Sequence, residues 1–324
     1  MMDQAIRDFS KQFLFKPQIE GSVIDLANFS SYVVCGMGGS HLAADILKRI
    51  NPKINLIIHS DYGLPELNQS DLSKVLVIIS SYSGNTEETL DALEKALAKG
   101  LTCLTISVGG QLLQIAKEKN LPYIQLPDTG IQPRSALGFS LMAMLKAVNQ
   151  EETLKEVNKL SAVLNPTALE NRGEDLAEQA KGRIPVIYAS TKNYALAYNW
   201  KIKLNETGKI PAFYNLLPEL NHNEMTGYDY TDLNRSLSDK FFFIILLSAT
   251  DDVRNKKRAE VLARLLEDKE LLVLSVDSIG QTDLENIFNS LILADWFAYY
   301  TALIYEADPS EVPLVEEFKS KLAN

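Results

Sequence analysis

The sequence predicts an α/β protein made of two doubly wound parallel sheets in tandem, each a three-layer α/β/α unit of flavodoxin-like plan. Two observations predict it. Short runs that are apolar on both faces, such as VLVIIS at 75–80, alternate with stretches of helical periodicity from end to end. Strands buried on both faces and joined by crossover helices belong to parallel sheets. The rhythm also runs twice, with a polar stretch between the two passes. A chain of 324 residues has room for two such domains, and 46% hydrophobic with 23% charged residues is the balance of packed domains rather than disorder.

Taken in order, residues 1–20 read as an N-terminal helix. Residues 21–150 form a first domain with strands at Tyr32–Cys35, Ile54–His59, Val75–Ser80, Leu101–Ser107 and Tyr123–Leu126, and helices near 40–50, 86–99, 111–119 and 134–149. Residues 151–183 are polar and helical, broken at Asn165-Pro166, and read as a connector. A second domain, 184–324, offers strands at Pro185–Ala189, Pro211–Tyr214, Phe241–Ser248 and Leu271–Val276, with helices near 192–208, 253–268 and 283–305. In open sheets of this kind ligands sit beyond the carboxyl ends of the strands.

Composition removes several function classes. The net charge of −10 argues against a nucleic-acid or membrane-surface partner, since both reward a basic excess. Any bound anion must then be held by a local device. Cys35 and Cys103 both fall inside expected strands, which suits a reducing compartment and no disulfide framework. The N-terminus lacks the basic start and apolar core of a signal peptide, and no run of about 18 apolar residues announces a membrane span. A cytoplasmic protein is the expectation. The three histidines, His41, His59 and His222, show no metal-ligand spacing, so neither a metal nor a cofactor is expected.

Two turns carry the chemistry. CGMGGS at 35–40 and SSYSGNTEETL at 80–90 each follow an apolar strand and open a helix. Glycines let backbone N–H groups approach a ligand at a helix N-terminus. The first turn is a poor dinucleotide fingerprint, because His41 stands where G-x-G-x-x-G needs its last glycine. The second adds the hydroxyls of Ser81, Ser83 and Thr86, enough donors to surround a phosphate monoester. A plainer reading is that Asn85 caps the helix with Glu88 answering three residues on.

The ordered set CGMGGS, SYSGNTEET, QPRSALG, the Asn205-Glu206 pair and NHNE, over roughly Tyr32 to Lys319, resembles the bifunctional phosphoglucose/phosphomannose isomerase family, whose two halves are sugar isomerase (SIS) domains. The resemblance implies a metal-free aldose–ketose isomerase without cofactor, acting on hexose 6-phosphates through a cis-enediol. It implies that Gly38, Gly39, Ser40, Ser81, Ser83 and Thr86 touch the sugar phosphate. Glu206 then matches the family's base, Arg134 the arginine that stabilises developing charge, and Lys319 its catalytic lysine. His222 matches the histidine that assists ring opening and comes from the neighbouring subunit of a homodimer. The family more often has glycine at the position of His41, and a bulky ring there is expected to narrow substrate choice.

The residues themselves leave alternatives open. Ala195, Tyr198, Ile202, Asn205 and Glu206 share one side of a helical wheel, which puts the carboxylate on a buried face and suits proton transfer; a solvated glutamate at a helix end fits the spacing equally. His222 in PELNHNEMTGY is either a proton relay or part of a turn. Lys319 falls within the stripe Val312, Val315, Phe318 and Leu322, and either snorkels or is held over a ligand. Arg134 either meets an anion or pairs with a carboxylate at the domain seam. A phosphosugar sensor without turnover and a nucleotide-dependent oxidoreductase are the competing function classes.

Overall fold

The computed structural model describes residues 2–67 and 69–322. It resolves into two compact units: residues 8–163, and residues 164 onward together with the N-terminal α1 (Met2–Arg7). The segment read as a helix over 1–20 is α1 followed by a 3-10 turn at Phe9–Leu14. Pro17 stops any continuation. The 3-10 turn is fixed by burial of Phe9 and Phe13 and by Gln12, whose side chain donates to the Ser135 carbonyl (2.7 Å) and accepts from Gly138 N–H (2.9 Å).

The unit 8–163 runs β1 (Ser31–Cys35), α2 (Gly39–Ile50), β2 (Leu56–His59), β3 (Val75–Ser80), α3 (Glu87–Ala98), β4 (Thr102–Ser107), α4 (Gly110–Glu118), β5 (Tyr123–Gln125), α5 (Leu137–Ala147), α6 (Glu151–Asn158) and α7 (Leu160–Val163). Its sheet has the order β2-β1-β3-β4-β5, parallel throughout. Alternation along the strands divides the core: Val33, Cys35, Val77, Ile79 and Cys103 face Leu93 of α3 and Leu112 of α4. The helices α2 and α5 pack against each other and both touch the sheet.

The other unit holds α8 (Glu170–Ala180), β6 (Ile184–Ser190), α9 (Tyr194–Glu206), β7 (Phe213–Leu217), α10 (Arg235–Ser238), β8 (Phe241–Leu246), α11 (Val253–Asp268), β9 (Leu272–Val276), α12 (Asp283–Ile304) and α13 (Pro313–Leu322). Its parallel sheet is ordered β7-β6-β8-β9. The stretch 151–183 read as a connector divides between the units, α6 and α7 packing in the first and α8 against α12 in the second. Gly173 permits that last contact, since a Cβ there would lie 2.3 Å from Trp296 Cβ.

By length and composition α12 meets the standard of a membrane span, which the sequence reading did not single out. However, 67% of its apolar window is buried inside its own unit, and its Asp295 forms a buried ion pair with Lys203 of α9. It is the core helix between α8 and α9. The fold class expected from the sequence, parallel-sheet α/β in two halves, is the one found.

Candidate active site

In the sheet of residues 8–163 the chain passes from β1 outward to β2 and then returns to β3 on the other side of β1. The carboxyl ends of β1 and β3 therefore flank the topological switch point, where the crossovers diverge and leave a crevice. Both chemistry-bearing turns are there. After Cys35 the chain turns at Gly36–Gly38 into α2; after Ser80 it turns through Ser81–Thr86 into α3. Gly38 begins α2 with φ of +50°, Thr86 begins α3, and neither supplies a side-chain cap bond. Two helices of 12 residues thus bring their amide ends to one crevice without a capping side chain at either N-cap.

The hydroxyls divide by role. Ser40 and Ser81 are buried and knit the turns together: Ser40 Oγ accepts from Tyr82 N–H (2.9 Å), and Ser81 Oγ accepts from Gly84 N–H (3.1 Å) and shares a proton with Thr86 Oγ1 (2.8 Å). Ser83 is exposed, and Thr86 is half-buried with its hydroxyl bonded to Ser81. The capping reading fails at Asn85. Its side chain accepts from Gln111 N–H at the start of α4 (3.0 Å), while Thr86 occupies the N-cap of α3. Gly84 makes this packing possible, with φ of +73° and no room for a side chain: a Cβ would sit 1.8 Å from the Gly109 carbonyl oxygen.

A third segment joins them. The expected helix 134–149 begins instead as a 3-10 turn, Pro133–Ser135, ahead of α5, and this turn holds Arg134 buried at 3% exposure. Gly39 lies against it; a Cβ there would meet the Pro133 carbonyl carbon at 3.0 Å and Arg134 N at 3.1 Å. Gly38, Gly39, Ser40, Ser81, Ser83, Thr86 and Arg134 are thereby gathered at one sheet edge. His41 turns inward rather than across that edge, and its Nδ1 pairs with Asp45 Oδ2 one helical turn on (2.9 Å), both side chains 7% exposed.

Glu206, His222 and Lys319 belong to the other unit. Glu206 is the last residue of α9 and is half-buried. The deeply buried side of α9 carries Trp200, Lys203 and Leu204, because the helix is enclosed between its sheet and α12. The wheel therefore places Glu206 beside the core rather than in it. A helix that follows β6 and precedes the parallel β7 ends at the amino edge of the sheet, whereas His222 follows β7 and lies beyond the carboxyl edge. Five residues of strand separate those edges, about 15 Å at the rise of a parallel strand.

Lys319 lies on an exposed helix. Val315, Phe318 and Leu322 are 45%, 61% and 61% exposed, and no residue of α13 is buried, so the apolar stripe covers nothing in its own chain. Lys319 Nζ is bound to Glu316 Oε1 on the surface (2.8 Å). The helix is nonetheless tethered near α9: Lys209 Nζ donates to the Glu206 carbonyl (2.5 Å) and to the Glu311 carbonyl just before α13.

Comparison with known proteins bears on both units. Residues 169–322 match the family model of the bacterial phospho-glucose isomerase C-terminal SIS domain. The chain is 32% identical over 323 residues to the bifunctional phosphoglucose/phosphomannose isomerase of Aquifex aeolicus, covering 98% of this chain and 97% of that one. It is 34% identical over 308 residues to the enzyme of the same name from Caldicellulosiruptor bescii, covering 90% and 89%. The chain belongs to the bifunctional phosphoglucose/phosphomannose isomerase family. The fold is shared more widely still. Glucosamine-6-phosphate deaminase of Thermotoga maritima superposes with a TM-score of 0.66 at 16% identity, over 96% of this isomerase and 97% of that chain.

One part of the second unit is not legible in the sequence. Glu224, given no role from the sequence, accepts from Tyr188 O–H (2.5 Å), from Asn215 Nδ2–H and, at a long 3.5 Å, from Tyr228 O–H. Its strand partners stand 36 and 9 residues away in the chain. No local signal could reveal them.

Proposed function

We propose that this isomerase interconverts glucose 6-phosphate, mannose 6-phosphate and fructose 6-phosphate without a metal. The phosphate sits in the crevice at the first sheet's switch point. Amides at the starts of α2 and α3 and the hydroxyls of Ser83 and Thr86 hold it, while Ser40 and Ser81 keep the turns in shape. Glu206 is the base that moves a proton between C2 and C1, and Arg134 opposes the charge that develops on the enediolate oxygens. Removing the C2 proton erases the only difference between the two aldoses, so one base serves both. The observation that carries the reading is the convergence of two side-chain-uncapped helix N-termini and the exposed Ser83 at one switch point. The non-catalytic sensor is not favoured, since relatives alike over nearly the full length are named as isomerases.

The working form in this proposal is a cytoplasmic homodimer. Glu206 and His222 lie at opposite edges of one sheet. A histidine that assists ring opening beside Glu206 must then come from a second copy of the chain. The same dimer offers a partner for the exposed stripe of α13, and Lys319 reaches a ligand only when that helix is covered.

The test is turnover in deuterium oxide with a chelator present. Wild-type dimer should exchange the C2 proton of both aldose phosphates and yield fructose 6-phosphate. Glu206→Gln should lower kcat by about a thousandfold with KM nearly unchanged, within the range of about 10²–10⁴ for general-base removal. Folded, dimeric wild type with neither exchange nor product contradicts the proposal.

A further inference from the structure

His222 is exposed, yet the chain on either side of it is anchored. Two residues before it, Leu220 is fully buried in the core of its unit with Val186, Phe243 and Leu262. Two residues after it, Glu224 is bound to β6 through Tyr188 and to β7 through Asn215. Tyr228 closes the segment, its ring edge-on to Phe243 of β8 with centroids 4.7 Å apart. The 3-10 turns Glu219–His222 and Glu224–Tyr228 are further tied by Asn223, whose Oδ1 accepts from Glu224 N–H (2.6 Å) and whose Nδ2 donates to Glu219 Oε1 (2.8 Å).

A carboxylate gathering a buried phenol and a strand amide is a costly arrangement unless something depends on it, because each buried polar group demands its partner. Burial, with Tyr228 and Glu224 nearby, pushes the Tyr188 phenol far above the ordinary range, so it stays protonated and donates throughout working pH. The phenol proton therefore stays available to Glu224 Oε1, 2.5 Å away. What this bond holds is a main-chain arch whose apex is an imidazole facing outward.

We propose that Glu224 is a positioning residue: the Tyr188–Glu224–Asn215 clamp fixes the backbone beneath His222 and so sets where its imidazole meets the sugar ring. This rests on the assignment of His222 to ring opening. In that step the O1 hydroxyl proton passes through the imidazole to O5 as the C1–O5 bond breaks and the C1=O1 carbonyl forms. Glu224 touches no reacting atom. It acts through His222 alone, and its loss appears as misplacement, which costs about a hundredfold per ångström in a reacting pair.

The experiment compares wild type, Glu224→Gln, Tyr188→Phe, His222→Asn and the double variant His222→Asn/Glu224→Gln, using glucose 6-phosphate and its C2-deuterated form. Glu224→Gln and Tyr188→Phe should lower kcat about tenfold to a hundredfold with KM within about twofold. The C2 deuterium isotope effect on kcat should fall toward unity in both, because ring opening has become slower than proton transfer. His222→Asn should show the same suppressed isotope effect, and the double variant should lose little beyond His222→Asn alone. If Glu224→Gln does not fold, Tyr188→Phe, which removes one hydroxyl, carries the test. An unchanged isotope effect, or losses that multiply in the double variant, overturns the clamp, as does full activity in His222→Asn. In each of those cases wild-type turnover remains, whereas an inactive wild type overturns the proposed function itself.

Discussion

The carboxyl edges of the two sheets have the same plan and opposite contents. β1 and β3 in one unit correspond in position to β6 and β8 in the other, each pair flanking the point where crossovers diverge. At the first edge the helix starts are uncapped by their N-cap side chains, and glycine keeps the turns open. At the second, Asp251 fills the equivalent place: its Oδ1 accepts from Ser190 Oγ (2.6 Å) and Asn193 Nδ2 (2.9 Å). Its neighbour Asp252 caps α11 by accepting from Arg254 N–H (2.8 Å). There the chain's own carboxylate occupies the turn that follows the strand. The topology supplies a switch point twice, and the side chains around it differ.

That contrast can be broken at several points. The largest effect is expected from Gly84→Ala, which forces a side chain into left-handed backbone and against the Gly109 carbonyl. Loss of at least about 3 kcal/mol of stability is expected in urea unfolding, with kcat/KM reduced more than a hundredfold in whatever folds. Next come Ser83→Ala and Thr86→Ala, each expected to raise KM about tenfold or more with kcat nearly kept. A hydrogen bond to a charged group contributes about 1.5–3 kcal/mol, and the phosphate is gripped equally in ground and transition states. Steady-state kinetics on each variant checks this.

Asp251→Ala sharpens the contrast from the other side. It removes the carboxylate that accepts from buried Ser190 and Asn193, so a stability loss of about 1–3 kcal/mol is expected while KM stays at the wild-type value. A raised KM would bring the Asp251 turn, and not His222 alone, from that edge into the substrate site.

Extremes of pH separate the units in opposite directions. Both cysteines lie in the first sheet, where burial pushes Cys103 up to about 12 and burial with the neighbouring Cys103 does the same for Cys35. An unfolded chain releases thiol protons near pH 8.5. Stability of that unit therefore falls as pH rises from about 8.5 to about 12, by up to about 1.4 kcal/mol per pH unit for each thiol. Below that window both states keep the proton and nothing is lost, so alkylation at pH 8 should be slow in the folded protein. Asp252 runs the other way. Hydrogen bonds from the Arg254 side chain and backbone hold its carboxyl at about 2, below the usual carboxylate range. Its cap is intact above about pH 4 and is lost as pH falls through about 2, which amide exchange at the start of α11 will report.

The strands were the most legible part of the sequence, for a physical reason. A strand buried on both faces must be apolar at every position, and VLVIIS at 75–80 is both the expected and the observed β3. Edge strands drifted: β7 was expected at 211–214 and lies at Phe213–Leu217, its first residue exposed. That both glycine- and hydroxyl-rich turns join a strand to a helix was legible, because glycine and hydroxyl residues clustered after an apolar run mark a chain reversal. The stripe of α13 was read correctly as apolar but not as uncovered, since periodicity reports a face without naming what packs on it. Glu224 and Asp251 were invisible because their partners are set by strand pairing far along the chain.

The most direct test is an amide chemical-shift titration of the wild-type protein with fructose 6-phosphate. Gly38, Gly39, Ser83, Gly84, Asn85 and Thr86 should shift and saturate together, while residues 191–193 and 247–252 at the second sheet's edge stay still. Saturable shifts at the second edge, with the first unmoved, would contradict the proposed phosphate site.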